Sequence, residues 1–335
     1  MTRRSRPIAR IASGLIVVAF FAGCASTDRQ AADRATTVFD ETSATTVQPT
    51  TSTTILDPAC NPSNPARSLR PTPGPLPAPG QMPPGSTMET IQTNGSLKVG
   101  VDQNTLLFGY RNPKSNELEG FDIDVAKEIA RAIFGDPTKV DFVIVTTGQR
   151  QGAVKDGLVD MVASLYTINC ARWHEIAFSS EYYRAGQRVL VREDSPIKNL
   201  FDLAGKRLCV TSGSTASTNE ELATLQPKPK MVLATTRTEC LDKLQNSRVD
   251  AIVADDTILY GLREQDPRTT RLLDLRLTDE PYGLAINRDR PDFVRFVNGV
   301  LQRMRDEGTL QRLEAEWLGE IVNPLPAVPN AEYRD

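Results

Sequence analysis

The chain has 335 residues, with 39 Lys and Arg against 42 Asp and Glu and a formal net charge of −3. That length exceeds one ordinary domain and falls short of three, so one or two compact units with appendages are expected. No basic stripe is available to neutralise phosphates, which excludes nucleic acid as a partner.

The appendages come first. Residues 1–23 carry Arg3, Arg4, Arg6 and Arg10 without an acid, followed by an apolar run from Ile11 to Phe21. This reads as a secretory signal, too short for a stable membrane span. It ends at Phe21-Ala22-Gly23-Cys24, which resembles the bacterial lipoprotein signal apart from Phe21, where an aliphatic residue is usual. Lipidation of Cys24 is therefore expected. Losing the signal removes four positive charges and moves the net charge from −3 to −7. Residues 24–88 are rich in Thr and Ser and then in Pro, with 11 of the 23 prolines between Pro49 and Pro84. Such a composition predicts a flexible, then semi-extended tether. The tail 323–335, with Pro324, Pro326 and Pro329, reads the same way.

Between these flanks strand and helix alternate, which predicts an α/β fold with largely parallel sheets. Leu97 to Val101 reads as a strand, Asp122 to Ile133 as a helix ended by Phe134-Gly135, and Val140 to Val145 as the next strand. A helix end at Gly152 to Gly157 and strands at Met161 to Ser164 and Arg188 to Val191 follow. A second unit opens at Lys206 to Val210 and continues through a helix from Ser214, a strand near Met231, a helix from Glu239 and the strand Ala251 to Ala254. A late strand, Gly283 to Ile286, precedes a helical region from Asp292 to Trp317, broken near Gly308.

Several strings along this path resemble, in order, the extracellular solute-binding proteins of family 3, which bind polar amino acids. They include Leu97 to Asp102, Phe108-Gly109-Tyr110, Gly120 to Ala126, Thr167 to Arg172, Phe178-Ser179, Tyr182-Tyr183, Asp250 to Asp255, Pro281-Tyr282-Gly283 and Trp317-Leu318-Gly319. The likeness spans roughly residues 90–320. Asp102-Gln103, Gln149-Arg150 and Asp255 to Leu259 are most similar to glutamate/aspartate-type members and to actinobacterial lipoproteins called glutamine-binding. The resemblance implies a two-lobed, type II periplasmic-binding fold, with lobe 1 from residues 89–186 and 281–322 and lobe 2 from 187–280. Two crossover strands act as the hinge, and the ligand lies in the cleft between the lobes. The exported setting favours disulfides for Cys60, Cys170, Cys209 and Cys240; three pairings are open. Cys209 with Cys240, both in lobe 2, is the preferred one, leaving Cys60 to pin the tether to Cys170.

By the same resemblance Arg172 grips the ligand α-carboxylate, for which a guanidinium fork is suited. Thr167 adds its hydroxyl and backbone N–H, and Leu165 its carbonyl. Asp255 pairs with the α-ammonium, leaving Asp256 as the better helix cap. Ser214 and Thr215 offer N–H groups at a helix start, and Asp102 joins the ligand set. Arg150 is expected to read a side-chain carboxylate. Asp122 and Asp124 are expected to be structural. Thr105 and Thr147 stand where many members carry aromatic rings, so a small charged ligand is expected, with Tyr166 supplying part of the missing contact. The single histidine, His174, lacks a nucleophile partner and further metal ligands, so neither an enzyme nor a metal or cofactor site is expected. The implied partners are a small amino acid, a lipid anchor, and either the permease of an ABC importer or a membrane sensor protein, with the chain itself a monomer.

Overall fold

The computed structural model describes residues 60–335; the signal stretch and Cys24 lie outside the described residues. Among these residues no helix is long and apolar enough to cross a membrane. The first lobe opens with α1 (Thr87–Asn94), whose first turn is capped by Ser86, its Oγ accepting from the Glu89 N–H at 3.1 Å. Strand β1 (Leu97–Val101) is buried along nearly its whole length, as a central parallel strand must be. A small antiparallel sheet follows, made of β2 (Asn104–Thr105), β3 (Gly109–Arg111) and β4 (Leu118–Glu119). It leads into α2 (Phe121–Phe134), then β5 (Val140–Ile144), α3 (Arg150–Lys155), β6 (Met161–Val162), α4 (Cys170–Trp173) and β7 (Ala177–Phe178).

Gly120 before α2 has φ 135°, and a Cβ there would lie 2.3 Å from the Phe108 carbonyl, so only glycine allows the close approach. The apolar face of α2, with Phe121, Val125, Ile129 and Ile133 fully buried, packs over the sheet.

The long strand β8 (Tyr183–Arg192) then crosses into the second lobe. That lobe holds β9 (Arg207–Thr211), α5 (Glu220–Thr224), β10 (Lys230–Ala234), α6 (Arg237–Gln245), β11 (Ala251–Asp255), α7 (Asp256–Gln265) and β12 (Thr270–Leu272). The chain returns along β13 (Asp279–Tyr282) to β14 (Ala285–Ile286), α8 (Pro291–Asp306) and α9 (Thr309–Leu318). The sheet orders are β5-β1-β6-β14-β7 in lobe 1 and β10-β9-β11-β8-β12 in lobe 2. The crossing itself is the antiparallel pairing of β8 with β13, from Gly186 opposite Asp279 to Tyr183 opposite Tyr282. Gly308, with φ 70°, separates α8 from α9.

Two stretches read as loose from their composition lie instead against lobe 1. Residues 60–86 form a strap in which Ala66 and Met82 are buried, and Ser68 Oγ donates to the Phe178 carbonyl at 2.7 Å. The tail returns alongside the strap: Ser68 pairs with Tyr333, and Asp335 bonds Arg295. Composition misleads here because neither stretch builds a core of its own; each borrows the apolar face of lobe 1. Cys60 is bonded to Cys170, and Cys209 to Cys240.

Candidate functional site

The facing ends of the two lobes enclose a small residual space of about 20 Å3. Lobe 1 lines it with Thr147, Arg150, Leu165, Thr167 and Arg172. Lobe 2 answers with Thr211, Ser214, Thr215, Arg237 and Asp255. The lobes meet closely at one edge, where Gly213, at φ 78°, brings its Cα so near Gly148 that a Cβ would fall 2.8 Å from the Gly148 Cα.

Arg150, the first residue of α3, is 2% exposed. Its Nε donates to the Thr147 carbonyl at 2.9 Å, and its Nη1 to the Ser164 and Leu165 carbonyls at 2.8 and 3.0 Å. The Ser164 and Leu165 carbonyls are presented by a turn in which Leu165 takes φ 44°, a left-handed conformation uncommon outside glycine. Asp122 fixes that turn: it is fully buried, accepts from the Leu165 N–H at 2.8 Å and from the Tyr182 hydroxyl at 2.6 Å, and burial pushes it up to about 6. Arg172, in α4, donates to the Thr167 carbonyl at 2.5 Å and across the cleft to the Gly213 carbonyl at 3.3 Å.

Both guanidiniums lie over the Tyr166 ring, at 4.0 Å for Arg150 and 4.5 Å for Arg172. Cation–π attraction offsets part of their desolvation. It does not supply a counter-charge. Burial, then the neighbouring Arg172, push Arg150 down to about 9, so it stays protonated at neutral pH but is poorly compensated.

Asp255 ends β11 across the cleft, with its Oδ2 accepting from the Tyr282 hydroxyl at 2.6 Å. Burial, then the nearby Glu280 carboxylate, push it up to about 7. Glu280 is itself held by Gln187, Thr215 and Thr278, at 2.9, 2.9 and 2.7 Å. The arrangement suits a ligand that carries carboxylate toward lobe 1 and ammonium toward lobe 2.

The sequence model of the bacterial extracellular solute-binding proteins, family 3, matches residues 97–320. The chain belongs to that family. The ABC transporter glutamine-binding protein GlnH of Bacillus subtilis is 34% identical over 235 residues, covering 70% of this chain and 85% of that one. The glutamate-binding protein GluB of Corynebacterium glutamicum is 34% identical over 239 residues, covering 68% and 80%. The solved structure of the solute receptor for L-cysteine of Neisseria gonorrhoeae matches with a TM-score of 0.66 at 25% identity, covering 72% of this chain and 100% of that one. The fold is thus the type II, two-lobed fold of the solute-binding proteins, and a member of this family is a binder and not an enzyme.

Within that frame the expected ligand residues fall into three groups. Arg150, Thr167, Arg172, Ser214, Thr215 and Asp255 come together at the cleft. Leu165 also lines it, but its carbonyl accepts from Arg150. Asp102 does not line the residual space; it forms a buried salt bridge at 2.5 Å with Arg237 of lobe 2. The helix expected from Ser214 is a single 3-10 turn, Thr215–Thr218, and Ser214 Oγ donates back to the Thr211 carbonyl at 2.6 Å. Asp256 is the first residue of α7 rather than its cap, and it accepts from the Gly186 N–H of the crossing strand at 3.2 Å. Tyr166 packs its ring against both arginines instead of lining the space.

Arg237 is the site residue the sequence reading missed. It opens α6 and is 3% exposed, with Nη1 donating to Asp102 and to the Thr105 hydroxyl, both at 2.5 Å. The signal that could have found it is the small Thr105, which leaves room for a long side chain from the opposite lobe.

Proposed function

We propose that the protein binds an acidic α-amino acid, glutamate or aspartate, and delivers it to an ABC importer. The observation that carries this reading is the pair of guanidiniums, Arg150 and Arg172, packed on one tyrosine ring with only backbone carbonyls bonded to them. Arg172 receives the α-carboxylate with the Thr167 hydroxyl and N–H, and Asp255 receives the α-ammonium. Arg150 stands where a side-chain carboxylate compensates it, while Arg237, which also lines the cleft, is already paired with Asp102. An amide ligand leaves that excess positive charge in place, and burying an uncompensated charge is costly. The ligands after which the relatives are named, glutamine and glutamate, fit an amino acid of this length.

Calorimetry of the wild type and Arg150→Ala against glutamate, aspartate, glutamine and asparagine tests the assignment. Arg150→Ala is expected to weaken the two acids far more than the two amides. Equal losses for all four, or none, would remove the acidic-ligand reading. The Cys24 site, outside the described residues, is proposed as the lipid anchor that holds the protein on the outer face of the membrane. Cys24→Ser should move the protein to the soluble fraction; unchanged membrane association would refute the anchor.

A further inference from the structure

The family match begins at residue 97 and ends at 320, so the strap (60–86) and the tail (323–335) lie outside the matched part of the chain. They converge on one place. Cys60 is bonded to Cys170 at the start of α4, and Trp173 at its end donates its indole N–H to the Pro65 carbonyl at 2.9 Å. Between these two anchors on the same four-residue helix sits Arg172. A helix of one turn has no stability of its own, so its position is set by what holds it.

A second route leads from the strap and tail to the same guanidiniums. Arg334 of the tail stacks over Trp173 at 4.2 Å, and Trp173 meets Phe178 edge to face at 5.6 Å. Phe178, whose carbonyl accepts from Ser68 of the strap, meets Tyr166 edge to face at 5.3 Å. Tyr166 is the ring that carries both Arg150 and Arg172. The tail is tied into this stack through the strap. Ser68 donates its N–H to the Glu332 carbonyl, and the Arg334 N–H donates to the Ser68 carbonyl, both at 2.9 Å.

We propose that the strap and tail are positioning elements for the ligand cleft, holding α4 and the Tyr166 ring so that Arg172 is preset to receive a carboxylate. This rests on the reading of Arg172 as the carboxylate grip. A purely structural strap would stabilise lobe 1 without acting through that arginine. The two differ in a thermodynamic cycle.

The experiment removes the bridge as the paired substitution Cys60→Ala with Cys170→Ala, in the parent chain and in Arg172→Lys. L-glutamate affinity is read by calorimetry at a temperature where all four chains are folded, and thermal midpoints are read alongside. Removing the bridge is expected to weaken binding by about tenfold in the parent and by less than about threefold in Arg172→Lys, while the midpoint falls equally in both. An unchanged affinity, or the same fold-loss in both backgrounds, overturns the proposal. If Arg172→Lys alone binds as tightly as the parent, the carboxylate-grip reading fails instead. Hydrogen exchange without any amino acid gives a second arm. Loss of the bridge should speed amide exchange over residues 167–173 by about tenfold and leave β9 and β11 unchanged. No change there overturns the proposal whatever the protein binds. Should the bridge-free chain fail to fold, Trp173→Phe keeps the ring, deletes the bond to Pro65, and enters the same two measurements.

Discussion

The two lobes contribute to the cleft in different ways. Lobe 1 brings Arg150 and Arg172 already bonded to carbonyls of their own lobe and resting on their own tyrosine. In lobe 2, Arg237 donates, among the described residues, to Asp102 and Thr105 of lobe 1, and Asp255 accepts one hydroxyl from the returning strand β13. Lobe 1 therefore holds its two arginines mainly by its own groups, the Gly213 carbonyl of lobe 2 adding a longer contact to each, whereas Arg237 of lobe 2 is held from across the cleft. The difference separates a preformed carboxylate seat from a cover that is completed on closure.

The largest expected effect tests the seat. Arg172→Ala should weaken every α-amino acid ligand by about 2–5 kcal/mol, because the α-carboxylate enters a dry cleft without its partner. Calorimetry over several amino acids checks this, and a loss confined to one ligand would show that Arg172 is not the shared grip.

A smaller effect separates fold from site within lobe 2. The Cys209–Cys240 bridge joins β9 to α6, both within the lobe that carries Arg237. Replacing both cysteines with alanine should cost about 2–4 kcal/mol in denaturant unfolding. Affinity in the folded state should stay within about threefold. A large affinity loss would mean that lobe 2 presets its groups as tightly as lobe 1 does, erasing the contrast.

The smallest effect sharpens the role of the cover. Asp255, pushed up to about 7 by burial and then by Glu280 against the lowering effect of Tyr282 and Arg237, binds a proton in the ligand-free cleft that an incoming ammonium displaces. Affinity for glutamate should thus be flat above pH 7 and fall below it by at most about tenfold per pH unit. Protons should be released on binding at pH 6, measurable in buffers of different ionisation enthalpy. The sign for folding is opposite. A raised carboxyl stabilises the ligand-free fold at low pH, and that contribution is lost as pH rises from about 4 toward 7. Proton uptake on binding, or affinity that rises on acidification, would remove Asp255 as the ammonium partner.

Local grammar made much of this legible in advance. The Gly120-Phe121-Asp122 string marks a turn that only glycine fits, and the periodic apolar face behind it marks α2. The break at Gly308 is visible for the same reason. Arg172 and Asp255 stand out because they follow strands in recognisable strings. Arg237 does not, since its meaning lies in Asp102 and Thr105, 135 and 132 residues away along the chain. Asp102 reads from the sequence as a ligand contact because a single chain position does not reveal that an arginine from the other lobe will occupy it. Leu165 shows a further limit: a left-handed leucine is imposed by Asp122 and the tertiary turn, not by its own propensity. The strap hides for a different reason. Its prolines and polar residues are loose in isolation, and its order comes from a surface made by residues far along the chain.

The meeting of strap and tail has a mechanical corollary. The chain enters the described structure at Cys60 and leaves it at Asp335, and both places belong to lobe 1; lobe 2 is a loop out of that body through the β8 and β13 crossing. A pull on the N-terminal chain is borne by lobe 1, through the covalent bridge at α4, and bypasses the hinge. With the proposed anchor at Cys24, lobe 1 would be the fixed jaw and lobe 2 the moving one. Work done by a bound ligand would then appear as displacement of lobe 2, with lobe 1 as its fulcrum.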